Sequence, residues 1–210
     1  MDARTAMRKA LIRMALRRSR PGAGSRWDLM AARRPSVDEL PDLPSILDPL
    51  PWAVVGAMAA RYYMPERATR DLDVAVRAAD GLEARRRLQA AGFHYAGELL
   101  IPGSSWRAPG GLALDVLELE AEWAEAALAE AQRSREATGW PILPLPYLVL
   151  MKFEAGRLQD LADIARMLGQ ATEAQMQAVR EVFQRYRPQD LEDLESLRLL
   201  GRLERGEFGS

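Results

Sequence analysis

Hydrophobic and polar positions divide the chain into two styles of pattern. Between Trp52 and Leu119 the apolar positions form short runs with strand character; from Ala121 onward they recur at helical spacing. The first style predicts a strand over Trp52 to Val55 that turns helical after Gly56, and a second strand over Leu72–Val76. "GLEARRRLQAAGF" then reads as an amphipathic helix stopped by Gly92, "FHYAGEL" as a strand, and "SWRAPGGLALDVLEL" as a hairpin turning at Pro109-Gly110-Gly111. The second style predicts successive helices in "EAEWAEAALAEAQRSR", "LPYLVLMKFEAG", "RLQDLADIARML", "TEAQMQAVREVFQRY" and "QDLEDLESLRLLGRL". Ahead of both, residues 2–18 have helical periodicity with Ala6, Leu11, Met14 and Ala15 near one face. A glycine- and proline-punctuated stretch follows, with room for one short helical turn. The expectation is an α+β protein in three parts: a basic helix and linker over residues 1–50, a small mixed sheet with flanking helices over 51–138, and a helical bundle over 139–210.

One strand breaks its own pattern. In "RATRDLDVAV", Leu72, Val74 and Val76 share the face that suits a core, whereas Asp71, Asp73 and Ala75 share the other. Neighbouring carboxylates repel and raise each other's pKa, so a sequence that keeps both commonly places a cation between them. Asp115, embedded in "LALDVLEL", is a further acid in an apolar run. If its strand lies beside the first, three carboxylates converge and can hold divalent cations for a phosphoryl displacement. Each acid taken singly could instead be a salt-bridged structural residue, with Arg67, Arg70 or Arg107 as partner.

Composition narrows the chemistry. The chain has 210 residues, 48% of them hydrophobic, no cysteine and one histidine, His94. Disulfides, thiolate zinc sites, cysteine nucleophiles and multi-histidine centres within one chain are thereby excluded. A metal here must be held by oxygen, which favours Mg²⁺ or Mn²⁺. Net charge is −1, yet Arg4 to Arg34 is strongly basic and could follow a phosphate backbone or form a solvated helix face. No run is long and apolar enough for a membrane span, and the N-terminus lacks the apolar centre of a secretory signal. The expected location is the cytoplasm.

Gly56-Ala57 after a buried strand, then Arg67-Ala68-Thr69-Arg70-Asp71-Leu72-Asp73, then Asp115, resembles the nucleotidyltransferase fold of the DNA polymerase β superfamily. It comes nearest to the minimal bacterial nucleotidyltransferases and the AbiEii-like toxins. The likeness continues into "KFEAGRLQDLADI", with Lys152, Arg157, Asp160 and Asp163, and spans roughly Trp52 to Leu168.

The resemblance implies a metal-dependent enzyme that transfers NMP from an NTP, such as ATP, to an acceptor. Asp71, Asp73 and Asp115 would be the metal ligands, with Lys152 completing the catalytic set. Gly56, Ala57, Arg67, Thr69, Lys152, Arg157 and Asp160 would bind the nucleotide. Either Asp160 or Asp163 would orient Lys152 or Arg157. Ala57 stands where many relatives have serine or glycine, which leaves phosphate contact to backbone donors. The acceptor would be tRNA or another RNA, a protein, or a small molecule such as an aminoglycoside. The resemblance also implies a toxin of a toxin–antitoxin pair, with a cognate antitoxin as partner. The competing expectation is a non-catalytic partner-binding or antitoxin-like module on the same fold. For Lys152 the bland reading is a lysine whose ammonium snorkels to water, for His94 a structural role, and for Trp106 and Trp140 core packing.

Overall fold

The computed structural model describes residues 3–18, 40–64, 71–135 and 139–206. Its strands are β1 (Trp52–Val54), β2 (Leu72–Arg77), β3 (His94–Glu98), β4 (Gly103–Arg107) and β5 (Ala113–Leu119), joined in one mixed sheet of order β1-β2-β5-β4-β3. β2 and β5 run parallel, and the other neighbouring pairs are antiparallel. Register explains the core. Trp52 and Val54 lie opposite Val76 and Val74, while Leu72 and Val74 lie beside Leu114 and Val116, and all of these are buried. β-Branched and aromatic side chains fit such a pleated, covered surface.

Helices α2 (Leu43–Leu47), α3 (Gly56–Tyr63), α4 (Gly81–Ala90) and α5 (Ala124–Arg133) accompany the sheet. α4 buries Ala84 and Leu88, one turn apart. Its first residue, Gly81, lies so near the sheet that a Cβ there would fall 2.4 Å from Glu118 Cδ. Arg85, one turn on, bonds the same Glu118 at 2.9 Å. The expected hairpin is present as β4–β5. Gly111 N–H donates to the Ala108 carbonyl at 2.8 Å, and Gly111 takes φ +87°, where glycine is favoured.

The remaining described helices are α1 (Ala3–Arg18), α6 (Leu145–Ala155), α7 (Leu158–Gln170), α8 (Glu173–Tyr186) and α9 (Leu191–Arg205). Helix α6 is buried almost all round, as its near-continuous apolar sequence requires. Helix α8 opens with a capping box between Thr172 and Gln175. α7 and α9 approach through glycines: a Cβ on Gly201 would sit 1.8 Å from the Ala165 carbonyl oxygen, and one on Gly169 would sit 2.5 Å from Gly201 C. Among the described residues no helix is long and apolar enough to cross a membrane.

Two compact units result, residues 31–144 and residues 1–30 with 145–210. This differs from the three-part division expected from sequence. Residues 141–143 belong with the sheet because they run along β1, with Val54 N–H to Pro141 O at 2.7 Å and Leu143 N–H to Val54 O at 3.0 Å. Helix α1 belongs with the helical unit, and through an unexpected face. Arg8 and Ile12 are its buried residues, whereas Ala6 and Met14 are exposed and Leu11 and Ala15 half-buried. The Arg8 guanidinium bonds Asp190 at 2.6 Å and Asp193 at 3.2 Å, and lies 4.0 Å from the Phe153 ring centroid. A periodicity reading sends arginine to solvent; two buried carboxylates bring this one inward.

Candidate functional site

The end of β1 delivers the chain against the carboxylate of β2. Val55 N–H donates to the Asp73 carbonyl at 2.9 Å, and Gly56 turns the chain into α3 with φ +61°. A Cβ on Gly56 would lie 1.8 Å from Asp73 Oδ2 and 2.7 Å from its Cγ. Only glycine permits both the left-handed backbone and this approach. Val55, the N-cap of α3, supplies no side-chain cap, so the helix does not satisfy its first-turn N–H groups with a cap of its own.

Asp115 stands beside Asp73 in the parallel ladder between β5 and β2. Strands in a sheet lie about 4.8 Å apart, so these two half-buried carboxylates share one face at close range. Like charges placed so oppose the pairing unless a cation intervenes. Ser105 on β4 faces Asp115 in turn and extends the row. It was missed in the sequence, although counting back by equal steps from the Ala108–Leu112 turn reaches the same pairing.

Asp71 immediately precedes β2 and is exposed. Among the described residues no group of three histidine, cysteine or acidic side chains is placed to hold a metal ion. Asp73 and Asp115 are register neighbours, and Asp71 stands two residues before Asp73, just ahead of the strand. The pair still suits Mg²⁺, which is commonly held by one or two carboxylates together with substrate phosphates. Arg67 and Thr69 lie outside the described residues. Ala57 follows Gly56 in the first turn of α3 and is half-buried. Arg107, weighed above as a structural partner for Asp115, donates to the Gly111 carbonyl at 3.1 Å.

Lys152 belongs to the helical unit and is 5% exposed, so its ammonium does not snorkel to water. Its Nζ lies 2.9 Å from Asp163 and 3.3 Å from Asp160. Arg157 bonds Asp160 through two nitrogens at 2.6 and 3.2 Å, and Gln159 bonds Asp163 at 2.9 Å. Both aspartates anchor Lys152, and Asp160 also holds Arg157. Burying three charges this deeply requires mutual pairing, and the network supplies it.

The aromatic side chains divide. Trp106 is buried and its Nε1–H donates to Ser104 Oγ at 2.9 Å, and Trp140 packs edge-on to Trp52. His94 is exposed on the edge strand β3.

No family model matches the sequence, and no curated protein matches it. Among solved structures the chain is similar to the antibiotic-resistance factor ANT(2'')-Ia. Its solution structure is 20% identical over 76% of this chain and 87% of that one, with a TM-score of 0.41. The crystal structure of ANT(2'')-Ia in complex with adenylyl-2''-tobramycin is 15% identical over 76% of this chain and 92% of that one, with a TM-score of 0.41.

Proposed function

We propose that this chain is a metal-dependent nucleotidyltransferase, moving NMP from an NTP to an acceptor hydroxyl. One observation carries the reading: Gly56 lies flush against the Asp73 carboxylate while Asp115 stands beside it. Asp73 and Asp115, with Asp71 ahead of the strand, are the residues that would hold Mg²⁺ or Mn²⁺. Bound there, the ion would neutralise charge developing on the phosphoryl oxygens. The chain's own part is positional. Backbone N–H groups at Gly56 and Ala57 point donors at a phosphate from the α3 N-terminus. Asp115 would complete the metal position and help activate the acceptor hydroxyl. The resemblance assigns Lys152 and Arg157 to the nucleotide as well; within the helical unit Lys152 is held by Asp160 and Asp163, and Arg157 by Asp160.

RNA, such as a tRNA end, is the acceptor favoured by the exposed Arg13, Arg17 and Arg18 of α1. The likeness to AbiEii-like toxins extends the proposal to a toxin restrained by a cognate antitoxin. A non-catalytic partner-binding module on the same fold is the second reading. Labelled NTPs incubated with the protein, Mg²⁺ or Mn²⁺, and tRNA, cell extract or aminoglycosides separate the two. The enzyme reading expects labelled product that is lost in Asp73→Asn and in Asp115→Asn. Absence of label with every NTP and acceptor, in folded protein, selects the binding module.

A further inference from the structure

Helix α9 carries Arg198, Arg202 and Arg205 at helical spacing, so their side chains rise from one face. They line a cleft of about 210 Å³ whose other walls are Gly169, Gln170, Ala171 and Glu173, from the end of α7 and the start of α8. Three like charges at this spacing repel, and among the described residues of the lining the acid is Glu173. Arg198 bonds Glu173 directly, and Arg180 approaches the same carboxylate at 3.9 Å while bonding Glu195 at 2.6 Å. The Arg198 hydrogen bond, with the nearby charges of Arg180 and Arg202, holds the Glu173 carboxyl below its ordinary pKa.

Two facts point beyond internal pairing. Arg198 Nε is buried and has no hydrogen-bond acceptor. An orphaned donor on a charged group is costly, so pairing with Glu173 leaves the Arg198 guanidinium incompletely satisfied. The Glu173 side chain, in contrast, is 74% exposed, so this competing anion can swing into water. Arg202 and Arg205 lie in the last turn of α9, where any cation complements the helix dipole; Arg198 lies too early in the helix for that role.

We propose that this arginine cleft is a binding site for a phosphate group, as inorganic phosphate or as a phosphate of RNA, with Glu173 occupying the anion position until the ligand arrives. Planar guanidinium groups suit bidentate contact with phosphate oxygens. The proposal is independent of the nucleotidyl-transfer reading and concerns a different unit of the chain.

Calorimetric titration of the full chain with inorganic phosphate tests it, at constant ionic strength and without NTP or divalent metal. Sulfate and chloride are the comparison anions, and a 5′-phosphorylated RNA dinucleotide distinguishes the two phosphate sources. Saturable phosphate binding is expected, weakened at least about tenfold in Arg202→Gln, a change of roughly 1.4 kcal/mol. Arg202→Lys retains part of the affinity. Glu173→Gln tightens binding several-fold, an opposite sign that a merely structural role for the cluster would not produce. The proposal is overturned if the wild type shows no saturation, if chloride competes as well as sulfate does, or if Arg202→Gln binds like wild type. Weaker binding by a folded Glu173→Gln also overturns it.

Discussion

Gly56 has no room for a methyl group, and the group it would strike is the Asp73 carboxylate itself. Gly56→Ala is therefore expected to act on the site as well as on stability. Left-handed strain and the clash together cost about 1–3 kcal/mol, and the proposed NMP transfer is expected to fall far more than the folded fraction does. Activity per folded molecule, with folding followed by circular dichroism, is the measurement. At the far edge of the sheet Glu98 supplies a pH prediction. Its hydrogen bond from Arg85, and then that from Tyr95, lower its pKa from 4.5 to about 2. A carboxyl with a depressed folded-state pKa stabilises fully above its unfolded value and loses that contribution as pH falls through the folded one. The melting temperature should thus decline between pH 4.5 and pH 2, and Glu98→Gln should lose less over that interval. Identical pH profiles for the two proteins contradict the assignment. Of these residues, Gly56, Asp73 and Asp115 were legible as chemistry in the sequence, because a glycine after a strand and acids within apolar runs break local expectation. Ser105 was not, since a serine in a strand violates no pattern.

Elements followed the periodicity closely where packing is apolar and departed from it where charges are buried. The β2 and β5 patterns, the Gly111 turn and the four helices after residue 144 all stand near their expected positions. Helix α1 is the exception, because its packing face centres on Arg8. The same physics governs α6 and α7. Removing Lys152 leaves Asp160 and Asp163 buried beside one another, with Asp160 kept by Arg157 and Asp163 by Gln159. Breaking a buried network by deleting one partner costs about 3–5 kcal/mol, so Lys152→Met should lower urea stability by that order. A double variant that also replaces Asp163 by leucine should recover part of the loss. Recovery of stability without recovery of NMP transfer would then separate a phosphate role from a structural one.

For the molecule as a whole, α1 contributes to the helical unit instead of forming an arm apart. Deleting residues 1–18 removes the Arg8 contacts with Asp190 and Asp193, though Arg187 still bonds Asp190 at 2.8 Å. Amide exchange in α9 should accelerate, while protection in β2 and β5 should hold. Equal acceleration in both units would show that the division is not one of stability. The sequence by itself determined the α+β class, the strand and helix positions and the suspicion attached to the acids, because period, turn residues and misplaced charge are local properties. Only the tertiary structure decided that Asp73 and Asp115 are ladder neighbours and that Arg8 and Lys152 are buried. Those outcomes depend on the register of strands far apart in the chain and on which charges meet after packing, and neither is written in any local stretch.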